Sequence, residues 1–187
     1  PSSQEEAEML YGDGVVARTD IFETLGLEKE PQTTDEYYQM WKLVQEKYPD
    51  MIPLAGTGLE PIKAAFGVLG ETKLVDGKLV YLFTTPEYKE YVEYVHKLYA
   101  EGILNQEFGT TSTTTLEEQF TSGKAYSACA GWASPATSLR KVFDNIEGSK
   151  LGYLTQMTKD AETPAILGET VPVQLYAAVP TKKSDKF

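Results

Sequence analysis

Residues 125–137 read AYSACAGWASPAT, and they contain one of only two tryptophans in the 187-residue chain. The first seven are small or apolar with β character, so AYSACAG is expected to be a strand. Ser134-Pro135 then reads as a helix start, a capping hydroxyl followed by proline at the first helical position. Trp132 therefore falls in a strand-to-helix turn. Strand, turn and helix in that order are the unit of an α/β domain, and turns at strand ends line the ligand crevice of such sheets.

The same alternation continues outward. Downstream, SPATSLRKVFDNI (134–146) is expected as a helix, LGYLTQM (151–157) as a strand and VPVQLYAAVP (171–180) as a final strand. Upstream, TTTLEEQFTSGK (113–124) reads as a short helix with Thr115 as cap, Glu118 closing the box and Gly123 as stop. A longer helix is expected from Thr85-Pro86 to Gly102, with Tyr88, Tyr91, Val92, Val95, Leu98 and Tyr99 as its apolar stripe. Before it, VDGKLVYL (75–82) reads as a hairpin or edge strand turning at Asp76-Gly77. Nearer the start, the β-prone run Val15–Ala17 is followed by a short helix in RTDIFETLGL that Gly26 stops. Thr33 and Glu36 form a capping box for a helix whose Tyr37, Met40, Trp41 and Val44 share one face, which places Trp41 in the core. IPLA (52–55) is a short strand, and the glycine-rich GTGLEP leads into an apolar helix, IKAAFGVLG. The first strand (about 14–18) and the last (about 173–179) are expected side by side in one sheet.

Composition narrows the function. The chain is 41% hydrophobic and 24% charged, values of an ordinary globular domain. Its 28 acidic against 17 basic residues give a net charge of −11, which argues against nucleic acid and against anionic membrane surfaces. The single cysteine, Cys129, excludes an internal disulfide and reads as a buried small hydrophobe. The one histidine, His96, lies among polar positions of its helix, so neither a histidine-based metal site nor a serine–histidine triad is expected. No run approaches the ~18 apolar residues of a membrane span. Phosphate-loop, dinucleotide, nucleophile-elbow and zinc-protease motifs are all missing, so neither catalysis nor a cofactor has positive support. Among 28 carboxylates, any one glycosidase-like pair carries almost no signal.

Two segments remain as candidate binding sites. At Trp132 an indole offers a flat apolar face and one N–H donor, and Gly131 removes bulk beside it, a surface on which the C–H patches of a sugar ring stack. In AGTGLEP (55–61), Gly56 and Gly58 allow close backbone approach, Thr57 has a hydroxyl, and Glu60 can accept from two hydroxyls at once. Read alone, that segment is equally an ordinary turn with Glu60 as a favourable charge at a helix start.

The order of motifs resembles one lobe of the extracellular solute-binding proteins of ABC importers. YGDGVVARTDIFETLGLEKEPQTTDEYYQMWKLVQEKYP is similar to the start of that family's second lobe. DGKLVYLFTTPEYKEYVEYVHKLYAEGILNQEF and EEQFTSGKAYSACAGWAS resemble its next segments. The nearest type is the larger sugar-binding lipoproteins of Gram-positive bacteria, with maltose-binding proteins more distant. The resemblance implies a periplasmic-binding-protein-like type II lobe, a mixed sheet flanked by helices, with residues 1–187 forming a single α/β lobe of a two-lobe protein that closes on its ligand. It implies capture of an extracellular solute, a carbohydrate or oligosaccharide, for an ABC permease, without covalent chemistry. The fragment itself would be monomeric, and the complete protein an extracellular lipoprotein anchored by a cysteine outside this chain. Trp132 matches the family's sugar-stacking tryptophan and Glu60-Pro61 its Glu-Pro-aromatic segment, although Ile62 stands where the aromatic would be. The expected ligand-binding set is Trp132, Gly131, Glu60, Thr57 and Gly58, whereas Arg18 and Asp20 match a structural Arg-x-Asp helix start. The competing readings are a glycoside-active enzyme domain, which turnover of an oligosaccharide would reveal, and a ligand-sensing domain of a signalling system.

Overall fold

A computed structural model describes residues 13–56, 58–131 and 134–163. Its centre is a four-stranded mixed sheet in the order β2-β5-β1-β6. The strands are β1 (Asp13–Arg18), β2 (Ile52–Ala55), β5 (Ala125–Gly131) and β6 (Leu151–Tyr153). β2 runs parallel to β5, with Ala55 opposite Ala128, and β1 is antiparallel to both β5 and β6. A separate hairpin, β3 (Thr72–Val75) with β4 (Lys78–Tyr81), turns at Asp76-Gly77. Both turn residues have positive φ, 50° and 74°, the conformation that a two-residue hairpin turn demands and that Asp-Gly supplies cheaply.

Two apolar layers sandwich the sheet. Alternation along β1 sends Val15 and Ala17 into the larger core and Val16 into a smaller one on the opposite face. The larger core is filled by α2 (Thr34–Lys47), which follows the single turn α1 (Phe22–Leu25), by α3 (Glu60–Ala65) and by α4 (Pro86–Ala100). α2 opens with the expected capping box, and its Tyr37, Met40, Trp41 and Val44 are all buried. Trp41 is fully enclosed; its indole N–H donates to the Ser127 hydroxyl (3.0 Å), which donates in turn to the Pro53 carbonyl (2.6 Å). The hydroxyls of Tyr37 and Tyr94 donate to the carbonyls of Thr155 and Thr34, and burial pushes both phenols up, so they stay protonated donors. The smaller core lies under α5 (Thr113–Thr121), where Leu116 and Phe120 pack on Val16, Ala55 and Ala128.

Arg18 and Asp20 form a two-pronged ion pair at 2.8 and 2.5 Å, and Asp20 also accepts from the Lys150 backbone N–H (2.9 Å). Partial burial pushes the Asp20 carboxyl up, but those hydrogen bonds and the guanidinium charge outweigh it and leave it below the usual value. The pair staples the exit of β1 to the entry of β6. Its role is structural.

Several expectations need correction. Residues 134–146 do not form one helix: two 3₁₀ turns, Ser134–Ala136 and Ser138–Lys141, precede a single α-turn, α6 (Val142–Asn145). Thr137 breaks the run with φ −117° and ψ −95°, and among the described side chains of this segment only Leu139 and Val142 are buried, too few apolar anchors to hold a long helix. α5 is capped by Ser112, one turn before Thr115, whose backbone N–H is the one that Ser112 accepts. In a run of hydroxyl residues several could cap, and Ser112 is the one whose side chain meets the Thr115 N–H. α4 buries Tyr91 and Leu98 and packs Tyr88, Tyr94 and Val95 on the core, whereas Val92 and Tyr99 face outward at 47% and 39% exposure. Cys129 is half-buried at the edge of the larger core rather than sealed within it. α3 starts at Glu60 and ends at Ala65, sooner than its apolar run. β6 likewise covers only the first three residues of LGYLTQM. The expected last strand at about 173–179, and with it the pairing of first and last strands, lies outside the described residues.

Candidate functional site

The parallel pair positions the site. β2 ends at Ala55 and β5 at Gly131, so both carboxyl ends open in the same direction, as in the ligand crevices of α/β sheets. A pocket of about 130 Å³ lies there. Its floor is Ala55, Gly56, Ala128 and Gly131, small residues that leave backbone within reach of a ligand. One wall is α5, through Thr113, Leu116 and Glu117, and the other is the 3₁₀ segment, through Ser134, Ser138 and Leu139. The hydroxyls of Thr113, Ser134 and Ser138 make no hydrogen bond to a described residue, so each is available to a ligand. Among the described residues, no cluster of His, Cys, Asp or Glu is arranged to hold a metal ion.

Of the five expected site residues, Gly131 lines the pocket directly. Its carbonyl accepts from the Tyr153 hydroxyl (2.5 Å), and a Cβ on Gly14 would lie 2.7 Å from the same tyrosine ring. Tyr153 thus lies across Gly14 and ties down the end of β5, immediately before Trp132. Gly58 and Glu60 sit one shell away. A Cβ on Gly58 would lie 2.1 Å from Glu60 Oε2, so the carboxylate folds back over the glycine, while Glu60 Oε1 pairs with Lys63 at 3.3 Å. Gly56 bridges the two groups: a Cβ there would lie 3.5 Å both from Cys129 Cβ and from the Gly58 carbonyl oxygen. Thr57 and Trp132 lie outside the described residues. Ile62, at the aromatic position of the resemblance, is fully buried in the core and presents nothing to a ligand.

Thr113, Glu117, Ser134, Ser138 and Tyr153 were not anticipated from sequence. Thr113 belongs to a hydroxyl-rich run that in sequence signals only a helix cap. Tyr153 had no signal, because its partner is a backbone carbonyl 22 residues earlier.

No protein-family model matches the chain. The polygalacturonan/rhamnogalacturonan-binding protein YtcQ of Bacillus subtilis is 36% identical over 128 residues, 62% of this chain and 26% of its own length. Lipoprotein LipO of the same organism is 29% identical over 126 residues, 59% of this chain and 25% of its own. Among solved structures, the S. pneumoniae ABC-transporter substrate-binding protein FusA in complex with kestose superposes with a TM-score of 0.68 at 18% identity, over 90% of this chain and 36% of that one. The chain is thus similar to parts of extracellular binding proteins. It shares the mixed α/β fold of that solved structure and spans about a quarter of the length of the curated relatives it matches.

Proposed function

We propose that this chain forms one lobe of an extracellular solute-binding protein and supplies one wall of a carbohydrate cleft that serves an ABC permease. The observation that carries this reading is the pocket at the carboxyl ends of β2 and β5, walled by free hydroxyls and lined by Gly131, the residue before Trp132 in sequence. YtcQ is named for polygalacturonan and rhamnogalacturonan, and FusA was solved with kestose, so saccharides are the ligand class in this company. In this proposal Trp132 stacks on a sugar ring, Gly131 lets the ring approach, and Thr57, Gly58 and Glu60 present hydrogen-bonding groups from the neighbouring rim. Catalysis is not part of the reading. The complete protein is placed outside the cell and held there by a lipid anchor, as the lipoprotein relative suggests.

Trp41 is sealed in the core, so a fluorescence change on adding saccharide reports Trp132. The expected result is a saturable change with oligosaccharides, absent with amino acids and absent in Trp132→Phe, with the saccharide recovered intact. Released product, or binding by amino acids in preference to sugars, would overturn the proposal.

A further inference from the structure

The pocket has one charged group among its described lining residues, the half-buried Glu117. Its side chain makes no hydrogen bond and no ion pair with a described residue, so its charge is not neutralised there. No Lys, Arg or His lines the pocket among the described residues. Arg140 and Lys141 follow the lining residue Leu139 in sequence, but they are exposed and outside the lining. The amino end of α5 also reaches the pocket at Thr113 and adds a partial positive charge. That is about half a charge, spread over open N–H groups, against the full charge of the carboxylate one turn further along.

We infer that Glu117 is a charge filter: the pocket takes a neutral sugar unit and rejects a uronate at the same position. This rests on the saccharide reading above and names its substrate class, and it sets this pocket apart from polygalacturonan, the uronate polymer for which the relative YtcQ is named. The carboxylate can accept from two hydroxyls of a neutral ring at once, as carboxylates do when they recognise vicinal diols. A uronate presents a second carboxylate to the same small pocket. Two like charges about 4 Å apart, with no cation among the described lining residues, weaken binding by about fivefold even in bulk water and by more than about tenfold where the pocket excludes part of that water. The chain's net charge of −11 adds to the effect at a distance.

The test uses matched pairs that differ only at C6: methyl galactoside with methyl galacturonide, and methyl glucoside with methyl glucuronide. Each is titrated at low salt into the ¹⁵N-labelled chain, and the amide shifts of Gly56 and Gly131 give the affinity. The neutral member of the pair that binds should win by about tenfold or more. Glu117→Gln keeps the shape and the hydrogen-bonding reach, so it should recover most of the uronide's affinity and change the neutral sugar's by less than about threefold. Added salt should narrow the gap in the unaltered chain but leave Glu117→Gln almost unmoved. A uronide that binds as well as its neutral partner in the unaltered chain overturns the filter while leaving saccharide binding intact. So does an unchanged ratio in a Glu117→Gln chain whose spectrum is otherwise native. If no sugar of either charge shifts those amides, the saccharide reading itself falls.

Discussion

Replacing Ser127 with alanine removes a single oxygen from the centre of the larger core. That oxygen accepts from the Trp41 indole N–H at 3.0 Å and donates to the Pro53 carbonyl at 2.6 Å, and the serine has no solvent exposure. Alanine fits the space, so the cost is that of two polar groups left without this partner. A buried donor without an acceptor costs about 1–3 kcal/mol, and the carbonyl adds a smaller amount because it can keep other partners. The expected total is about 2–3 kcal/mol, or a fall in Tm of about 4–12 °C for a chain of this size. The decisive comparison is a double-mutant cycle with Trp41→Phe, measured by chemical denaturation. Once the indole N–H is gone, Ser127→Ala orphans only the carbonyl, so its cost should drop by about 1–2 kcal/mol. An equal cost in both backgrounds, or a cost below about 0.5 kcal/mol in the unaltered chain, would refute this account of the core.

Three further outcomes follow from the same contacts. Trp41→Ala should destabilise the fold by about 3–5 kcal/mol while Trp132→Ala costs little stability, a contrast that calorimetry of the two variants would check. The Lys29 ammonium, with the backbone N–H groups of Gln32 and Thr33, holds Glu36 down at about 2 against an ordinary 4.5. Because this folded value is depressed, the stabilisation is present above about pH 4.5 and is lost as the pH falls towards 2; Glu36→Gln should therefore flatten that part of an acid-denaturation curve. Gly58→Ala should drive the Glu60 carboxylate off its present position, since Oε2 lies 2.1 Å from the new Cβ, and saccharide affinity should fall with stability nearly unchanged.

What could be read from sequence was local and periodic. The α2 capping box, the Asp76-Gly77 turn and the Trp41 face follow from neighbours within four residues, and all three are found. The structural role of Arg18 and Asp20 is legible only through the family resemblance, and the two form an ion pair. Expectations slipped where tertiary packing chose among equivalent local options. Five threonines and a serine stand at 110–115, where α5 finds its cap. The face of α4 was settled by the reach of Tyr94 to the Thr34 carbonyl, 60 residues away, which left Val92 and Tyr99 outside. The candidate site divides in the same manner: Gly131 could be placed at a strand end because that strand is self-evident, whereas Glu117 comes to the pocket only through the packing of α5 on β5. Its carboxylate looked like any other of the 28 acidic residues.

The central claim is that a saccharide binds at the carboxyl ends of β2 and β5. The most direct test is a crystal structure of the chain grown with kestose at a concentration high enough for a millimolar site, the affinity expected when one wall of a two-lobe cleft acts alone. The account predicts sugar density between α5 and the floor formed by Gly56 and Gly131, with one ring against Trp132. Density on another face of the chain, with this pocket empty, would contradict it.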